Sequence, residues 1–372
     1  MSASIDSLFR PFTLNGLVLP NRVAMAPMTR WKSPGGVPPP DVAAYYRRRA
    51  EHGCGLIITE GTTVDHPVSS HSTRTPNFFG SEALQGWGRV VDAVHEAGGR
   101  IFPQLWHVGA ARYPSQDYPN RELPSASPSG LYAPDKPPGG VPMAKAEIRA
   151  IVHAFAKAAA DARELGFDGI EIHGAHGYLI DQFFWPALNR RTDEYGGDLA
   201  GRTRFAVEIV EAIRREVGPD FPLVFRVSQW KQQDYDAKLA HSPEELGAFL
   251  NLLADAGVDA FHCSQRRHWE AEFDGSPLNL AGWAKKLTGK PSITVGSVGL
   301  KKELVGGSLE NLARAAEVAT LDGVLERLER DEFDLVAVGR GMLADPQWAR
   351  KVREGRFEDL RPFGAEALET LT

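Results

Sequence analysis

The chain has 372 residues, 42 % of them hydrophobic and 24 % charged, with a formal net charge of −6. That length admits one large barrel or two ordinary domains, and the acidic balance gives no electrostatic case for binding nucleic acid or an anionic membrane. Two cysteines, Cys54 and Cys263, cannot build a disulfide framework, a zinc cage or an iron–sulfur site; both sit in apolar strand-like contexts and read as buried small hydrophobes. The opening MSASIDSLFRPF lacks the apolar run of a signal peptide, and no stretch approaches a membrane span. A soluble, cytoplasmic protein is expected.

In chain order, 8–21 (LFRPFTLNGLVLPN) predicts a β-hairpin turning at Asn15-Gly16, a pair that readily supplies the positive φ such turns need. RVAMAPM, 22–28, is a strand ending in Thr29 and Arg30. A helix near 41–52 precedes a second strand at 55–61, and a helix near 82–97 precedes a third at 100–106. The stretch 107–144 is rich in Pro, Ser and Gly without helical periodicity, and loops of that length are usually functional or disordered. An alanine-rich amphipathic helix, 146–165, leads to the fourth strand at 169–173. Helix 201–217 leads to the fifth at 223–228. Helix 243–256, opened by Ser242-Pro243 and two glutamates, leads to the sixth at 260–265. A shorter helix near 279–288 leads to the seventh at 292–297, one near 320–330 to the eighth at 335–340, and helix 345–354 closes the series. Residues 300–319 look like an insertion.

Eight apolar strands alternating with helices argue a parallel sheet covered by helices. Over this length they predict an α/β fold: a single (β/α)8 TIM barrel spanning 1–372, with an N-terminal hairpin and long loops after strands three and six. Sites in that fold are built from the loops after the strands. Polar and glycine residues collect there: Thr29, Gly61, Gln104 with Trp106, His173 with His176, Arg226, Ser264, Gly296 with Gly299, and Gly339 with Arg340. The densest group follows strand four, where His173, His176 and Tyr178 place three ring donors within six residues, threaded by Gly174 and Gly177. The plainer reading is a strand–turn–helix joint whose histidines bond locally. A polar, glycine-broken loop over 193–204 follows.

Strands seven and eight end in VGSVG and VGRG, the usual barrel site for a phosphate held by backbone N–H groups, and Arg340 adds a charge-assisted contact. With Gln104 and Arg226 at other strand ends, these turns describe a ligand with a phosphate on one side and a polar planar ring at the centre. Flavin mononucleotide (FMN) fits that description.

NRVAMAPMTR near the start, PQLWH in strand three, HGAHGYLIDQF followed by NRRTDEYGG, and AVGRGMLADP near the end together resemble the Old Yellow Enzyme family. The matches run in order from about residue 8 to about residue 350. The resemblance implies an NAD(P)H-dependent ene-reductase with non-covalent FMN reduced by NADPH or NADH. It implies small-molecule activated alkenes as substrates, with hydride passing from flavin N5 to Cβ of an α,β-unsaturated carbonyl or nitro compound. It further implies that His173 and His176 bond the carbonyl oxygen and that Tyr178 protonates Cα. By the same resemblance Arg226 meets the N1/O2 edge and Gln104 the pyrimidine edge. Pro27, Met28 and Gly61 contact the ring, Thr29 bonds its O4 side, and Gly296, Ser297, Gly299, Gly339 and Arg340 hold the phosphate. Thr29 could instead be a strand cap.

Trp106 follows Gln104 by two and so shares its side of the strand; the family places it in the substrate pocket, and a core tryptophan is the alternative. Trp31, Trp185, Trp269 and Phe273 are further pocket candidates, and the loop 265–278 is placed as a lid would be; a solvated turn is the alternative reading of Arg266, Arg267 and His268. Where the family often has Arg, Gly109 is followed by Ala110. Three rivals remain: an iron–sulfur reductase or dehydrogenase of the same superfamily, which two cysteines do not support; an oxidative demethylase, which absence of Tyr178 would have favoured; and a barrel that only stores FMN, which would tolerate loss of the His/His/Tyr set. Monomer and homo-oligomer are both compatible with the sequence.

Overall fold

Asn15 and Gly16 take φ of 43° and 80°, the left-handed pair that lets a two-residue turn follow the twist of its strands. Phe12–Leu14 and Leu17–Leu19 accordingly fold back as an antiparallel hairpin. The computed structural model describes residues 4–112, 117–301 and 315–372. After the hairpin come eight parallel strands: Val23–Met25, Leu56–Thr63, Ile101–Trp106, Ile170–His173, Leu223–Val227, Ala260–Ser264, Ser292–Val295 and Leu335–Val338. Each bonds to the next, and the eighth pairs with the first, Val336 beside Val23 and Val338 beside Met25, so the sheet closes. The expected (β/α)8 barrel is the fold.

Alternation along each strand sorts the side chains. Ala24, Leu56, Ile58, Phe102, Val224, Ala260, Ile293 and Leu335 form one apolar cluster, which Leu14 and Leu19 of the hairpin join. Their neighbours, among them Val23, Ile57, Ile101, Phe225, Phe261 and Val336, belong to a larger cluster shared with the surrounding helices. Burying each large aliphatic or aromatic side chain contributes about 1.5–3 kcal/mol. Two positions further along the inward-facing rows the chemistry changes: Phe102 gives way to Gln104, Val224 to Arg226, and Ala260 to His262, all buried. The hairpin end of the barrel interior is apolar and the other end polar.

The helices run Pro40–Glu51, Ser81–Glu96, Lys145–Glu164, Leu199–Val217, Pro243–Ala256, Leu280–Thr288 and Asp322–Glu329, within two residues of expectation. Ser242 and Asp198 cap two of them, accepting from the amides of Glu245 and Gly201, which satisfies otherwise orphaned donors. The expected helix 345–354 starts later, as Trp348–Arg353, and a separate short helix, Arg340–Ala344, precedes it. Pro346 cannot continue a helix, and Asp345 turns the chain by accepting from the Gln347 amide at 3.0 Å while pairing with Lys351 at 2.7 Å. The long segment after the third strand holds a small parallel pair, Ser125–Ser127 with Gly140–Pro142. A short helix, Leu179–Phe184, that periodicity did not reveal follows the fourth strand. Most of the expected insertion, 302–314 of 300–319, lies outside the described residues. Both cysteines are buried thiols, and burial pushes Cys54 up to about 12. Among the described residues no helix is long and apolar enough to cross a membrane.

Candidate active site

The polar ends of the strands enclose a cavity of about 720 Å³, within the usual range for small-molecule sites. It gathers residues far apart in sequence. Pro27, Met28, Thr29 and Trp31 reach it from the first strand, Gly61 from the second, and Gln104 and Trp106 from the third. His173, His176 and Tyr178 come from the fourth, and Arg226 from the fifth. Gly296, Ser297, Gly339 and Arg340 come from the seventh and eighth. Gly299 and Trp269 are not in the lining; Trp269 is 43 % exposed, its ring set against His268. Trp185 is buried with Leu131 and Leu188, and Phe273 packs on Trp283. From the loop 265–278, Gln265 and Arg266 line the cavity, while His268 is buried and donates its amide to the Gly296 carbonyl at 3.0 Å.

A register shift between Ile58 and Gly61 decides which residue of the second strand faces inward, as bulges do. Gly61 turns to the cavity. A Cβ there would stand 2.6 Å from the Trp106 ring, so the glycine makes room for the tryptophan as well as for a ligand. Glu60 points the other way and accepts the backbone N–H groups of Arg30 and Trp31 at 2.7 and 3.3 Å. That contact holds Trp31 at a φ of 54°, a costly conformation for a bulky residue. Burial pushes the Glu60 carboxyl up to about 7.

His173, His176 and Tyr178 form a tight triangle, with ring centroids 4.9 Å apart for the two histidines and 5.1 Å for His173 and Tyr178. Burial and the nearby Arg226 guanidinium hold both histidines well below the ordinary imidazole range, so both are neutral. Their partners constrain their tautomers. The Ala175 amide donates to His173 Nδ1 at 3.3 Å, which leaves the proton on Nε2. Ser264 Oγ lies 2.7 Å from His176 Nε2 and, at the longer 3.5 Å, accepts from Arg226 Nη2. A guanidinium only donates, so the serine accepts from Arg226; toward His176 it either donates to Nε2, with the ring proton on Nδ1, or accepts from Nε2–H. His173 keeps its Nε2–H for a ligand oxygen. Burial pushes the Tyr178 hydroxyl up to about 12, which keeps it protonated.

Beneath this triangle runs a buried polar chain. Gln104 Nε2 donates to Glu171 Oε1 at 2.7 Å, and Glu171 Oε2 lies 2.6 Å from His262 Nδ1. Beside it Arg226 Nε is buried without a partner among the described residues. Buried donors left open are costly unless a ligand meets them. A planar ligand with acceptor atoms along one edge would satisfy Arg226, and an anionic group beside Ser297 and Arg340 would complete it; Arg340 Nη2 already donates to Ser297 Oγ at 3.3 Å. Among the described residues no cluster of His, Cys, Asp or Glu is placed to hold a metal ion.

Several lining residues were not singled out from the sequence. Trp230, Gln232 and Tyr235 come from the loop after the fifth strand, His71 from the loop after the second, and Leu368 and Glu369 from near the chain end. Trp230 stacks on His176 at 4.5 Å and on Tyr235 at 5.4 Å, and Arg266 lies over the Tyr235 ring. His71 sits edge-on to Trp106 at 5.0 Å. The run QWKQQDY directly after a strand bearing Arg226 was the available signal: two aromatics among amides at a barrel strand's C-terminal end. Ala110, where Arg was the family expectation, is buried, with its amide donating to Gln182 Oε1 at 3.2 Å.

Comparison with known proteins agrees with this geometry. A profile described as the NADH:flavin oxidoreductase / NADH oxidase family matches residues 7–359. The chain is 40 % identical over 355 residues to 12-oxophytodienoate reductase 2 of Arabidopsis thaliana, covering 92 % of this chain and 87 % of that one. It is 34 % identical over 366 residues to an NADH oxidase of Thermoanaerobacter brockii, covering 95 % of this chain and 52 % of the relative. Among solved structures, morphinone reductase in complex with tetrahydroNAD superposes with a TM-score of 0.80 at 28 % identity, over 97 % of this chain and 93 % of the other.

Proposed function

Since the chain belongs to the NADH:flavin oxidoreductase / NADH oxidase family, the Old Yellow Enzymes, and is an oxidoreductase, we propose that it is an FMN-dependent ene-reductase acting on small α,β-unsaturated carbonyl or nitro compounds. One observation carries the reading: two neutral histidines and a protonated tyrosine line one cavity beside Arg226, whose buried Nε has no partner among the described residues. We take 1–372 to act as one FMN-binding unit.

The residues fit the cofactor. Arg226 would meet the N1/O2 edge and Gln104 the pyrimidine edge, the latter oriented by Glu171. Pro27, Met28, Thr29 and Gly61 would contact the ring, and Gly296, Ser297, Gly339 and Arg340 would hold the phosphate. Gly299, outside the lining, would act through the shape of its turn, with φ of 69°. When bound, FMN supplies the redox chemistry, taking electrons from NADPH or NADH and returning them to the alkene.

The protein's own contribution is electrostatic and protonic. His173, through its Nε2–H, and His176 donate to the substrate oxygen, where negative charge grows, which is the work of an oxyanion hole. Because both rings are neutral, neither surrenders its proton to that oxygen. Tyr178 gives its proton to Cα, and its raised pKa keeps it loaded across the physiological range. Trp106 and Trp31 wall the substrate, each with an indole N–H buried and without a partner among the described residues; Trp269 would reach a substrate only at the outer rim. Relatives named for morphinone and 12-oxophytodienoate, both ketone-bearing compounds, support a carbonyl-conjugated alkene, and the tetrahydroNAD complex of morphinone reductase supports a nicotinamide entering the same cavity.

The test is a visible spectrum of the purified protein, then anaerobic reduction by NADPH or NADH and re-oxidation by 2-cyclohexenone. Flavin bands that bleach and return with the enone are expected. Tyr178→Phe should slow re-oxidation by roughly 10²–10⁴-fold, far more than it slows reduction. A colourless protein that binds no FMN refutes the reading.

A further inference from the structure

The loop after the fifth strand grips the catalytic turn at successive points. Lys231 Nζ pairs with Asp181 Oδ1 at 2.6 Å, both side chains fully buried at 0 % exposure. Asp181 Oδ2 accepts the Gly177 amide at 2.7 Å. Gln233 Nε2 donates to the Gly177 carbonyl at 2.9 Å, and a Cβ on Gly177, at φ of 75°, would stand 1.8 Å from Gln233 Oε1. The Gln232 amide donates to the His176 carbonyl at 3.3 Å. His176, held at φ of 66°, lies in a region that disfavours side chains, so this grip keeps it there. The middle residue does more, for Gln232 Nε2 donates to Tyr178 Oη at 2.6 Å.

We propose that Gln232 is a positioning residue for the proton transfer, holding Tyr178 so that its O–H points into the cavity and its oxygen is prepared to bear negative charge. This inference rests on the ene-reductase reading above. In the step, the Tyr178 O–H bond breaks and a C–H bond forms at the substrate Cα. The electron pair comes from the anion that hydride addition leaves across Cα and the carbonyl oxygen, with NAD(P)H as the reductant through FMN. The phenolate recovers its proton from water. A donor on Oη serves both halves of this exchange: it occupies an oxygen lone pair, so the tyrosine proton is not spent on Gln232, and it strengthens as the oxygen becomes anionic.

Other groups bear on the same hydroxyl. Arg226 favours the phenolate, Tyr132 and Tyr235 disfavour it, and burial disfavours it most. His173 and Trp106 face it edge-on at 5.1 and 4.7 Å, both uncharged. Gln232 makes the direct hydrogen bond that favours ionisation.

The experiment follows re-oxidation of the reduced holoenzyme by 2-cyclohexenone against pH, in wild type, Gln232→Leu, Gln232→Glu, Tyr178→Phe and the Tyr178→Phe/Gln232→Leu double variant. Gln232→Leu is expected to slow re-oxidation about 10–100-fold, the value of one hydrogen bond to a charged group, to raise its solvent deuterium isotope effect, and to slow reduction much less. Gln232→Glu, nearly isosteric, carries the test if the leucine variant loses its flavin. Its carboxylate accepts where the amide donated, so it should be slow at neutral pH and recover as pH falls through the carboxyl's titration. The double variant should be no slower than Tyr178→Phe, since both changes act through one hydroxyl.

A readout independent of turnover is the fluorine resonance of 3-fluorotyrosine placed at 178, whose ionisation should move to higher pH in Gln232→Leu. Re-oxidation of Gln232→Leu within about twofold of wild type, smaller than any hydrogen bond's worth, would overturn the proposal. Fully additive losses in the double variant, or a pH-independent Gln232→Glu, would do the same. Wild type that the enone fails to re-oxidise would sink the ene-reductase reading and this inference with it, whereas an active wild type with an unaffected Gln232→Leu removes this inference alone.

Discussion

The floor of the cavity and its rim are built on opposite terms. The floor is Gln104, Glu171, Arg226 and His262, each on a barrel strand whose backbone is bonded on both sides, with the side chains buried. The rim is Trp31, Trp230, Gln232, Tyr235 and Arg266, carried by loops and kept in place by side chains: Glu60 under Trp31, Lys231 and Gln233 around Tyr178. A floor of this kind can hold a cofactor with little adjustment. A rim of this kind can be re-shaped by one substitution, so selectivity among substrates belongs there.

The sharpest way to break that contrast is to remove the rim's deepest anchor. Lys231→Met leaves Asp181 buried without its counter-ion, with only the Gly177 amide as partner, and should cost about 3–5 kcal/mol in urea unfolding of the holoprotein. Lys231→Met/Asp181→Leu should recover most of it. If Lys231→Met is neutral, the rim is held by something other than this pair.

Glu60 gives the next largest effect. Its folded pKa is raised to about 7 from an ordinary 4.5, so its contribution to stability is fully present below the unfolded value and is lost as pH rises through 7. The loss amounts to at most ~3 kcal/mol. Glu60→Gln should flatten stability against pH between those limits, read as urea midpoints across the range.

A smaller effect probes the floor. Glu171 accepts from two donors, one on each oxygen, and Glu171→Gln turns one acceptor into a donor facing a donor. Gln104 then loses its orientation, and the FMN dissociation constant should rise by roughly 5–30-fold, or about 1–2 kcal/mol. An unchanged constant would mean that the floor does not order Gln104. The smallest expected effect is at Trp269, half outside the molecule: Trp269→Ala should alter stability by under ~0.5 kcal/mol and kcat/KM for cyclohexenone by less than about threefold. A larger fall would extend the rim to that loop.

The same contrast explains what was legible in the sequence. Barrel strands announce themselves by apolar runs, and their ends by the switch to Gln104, His173 or Arg226, so the fold and half of the floor could be read along the chain; Glu171 and His262, set inside apolar strands, could not. Nor could the rim. Trp230 and Tyr235 matter because they stack on His176 and under Arg266, and stacking across loops leaves no periodicity. Glu60 sits in an apolar strand, and only the register shift before Gly61 turns it away from the cavity and toward Arg30 and Trp31. Trp269 and Trp185 show the converse: aromatic residues that drew the eye in the sequence, one part-exposed beside His268 and the other packed on Leu188, neither in the cavity lining. The late start of the last expected helix, at Trp348, was signalled by Pro346, one residue inside the range assigned to it.

Closure of the barrel through its first and eighth strands also bears on how the protein acquires its cofactor. Val23 and Val336 are neighbours in the sheet and lie almost the whole chain apart, a contact order that makes closure slow and late. Thr29 is synthesised well before Gly339 and Arg340, so the two sides of the cavity cannot meet until the eighth strand docks. A ligand that needs both sides must wait for that closure, and one that binds only the closed form stabilises it by mass action. The chain without such a ligand should therefore open more readily and be cut faster by protease than the ligand-bound form.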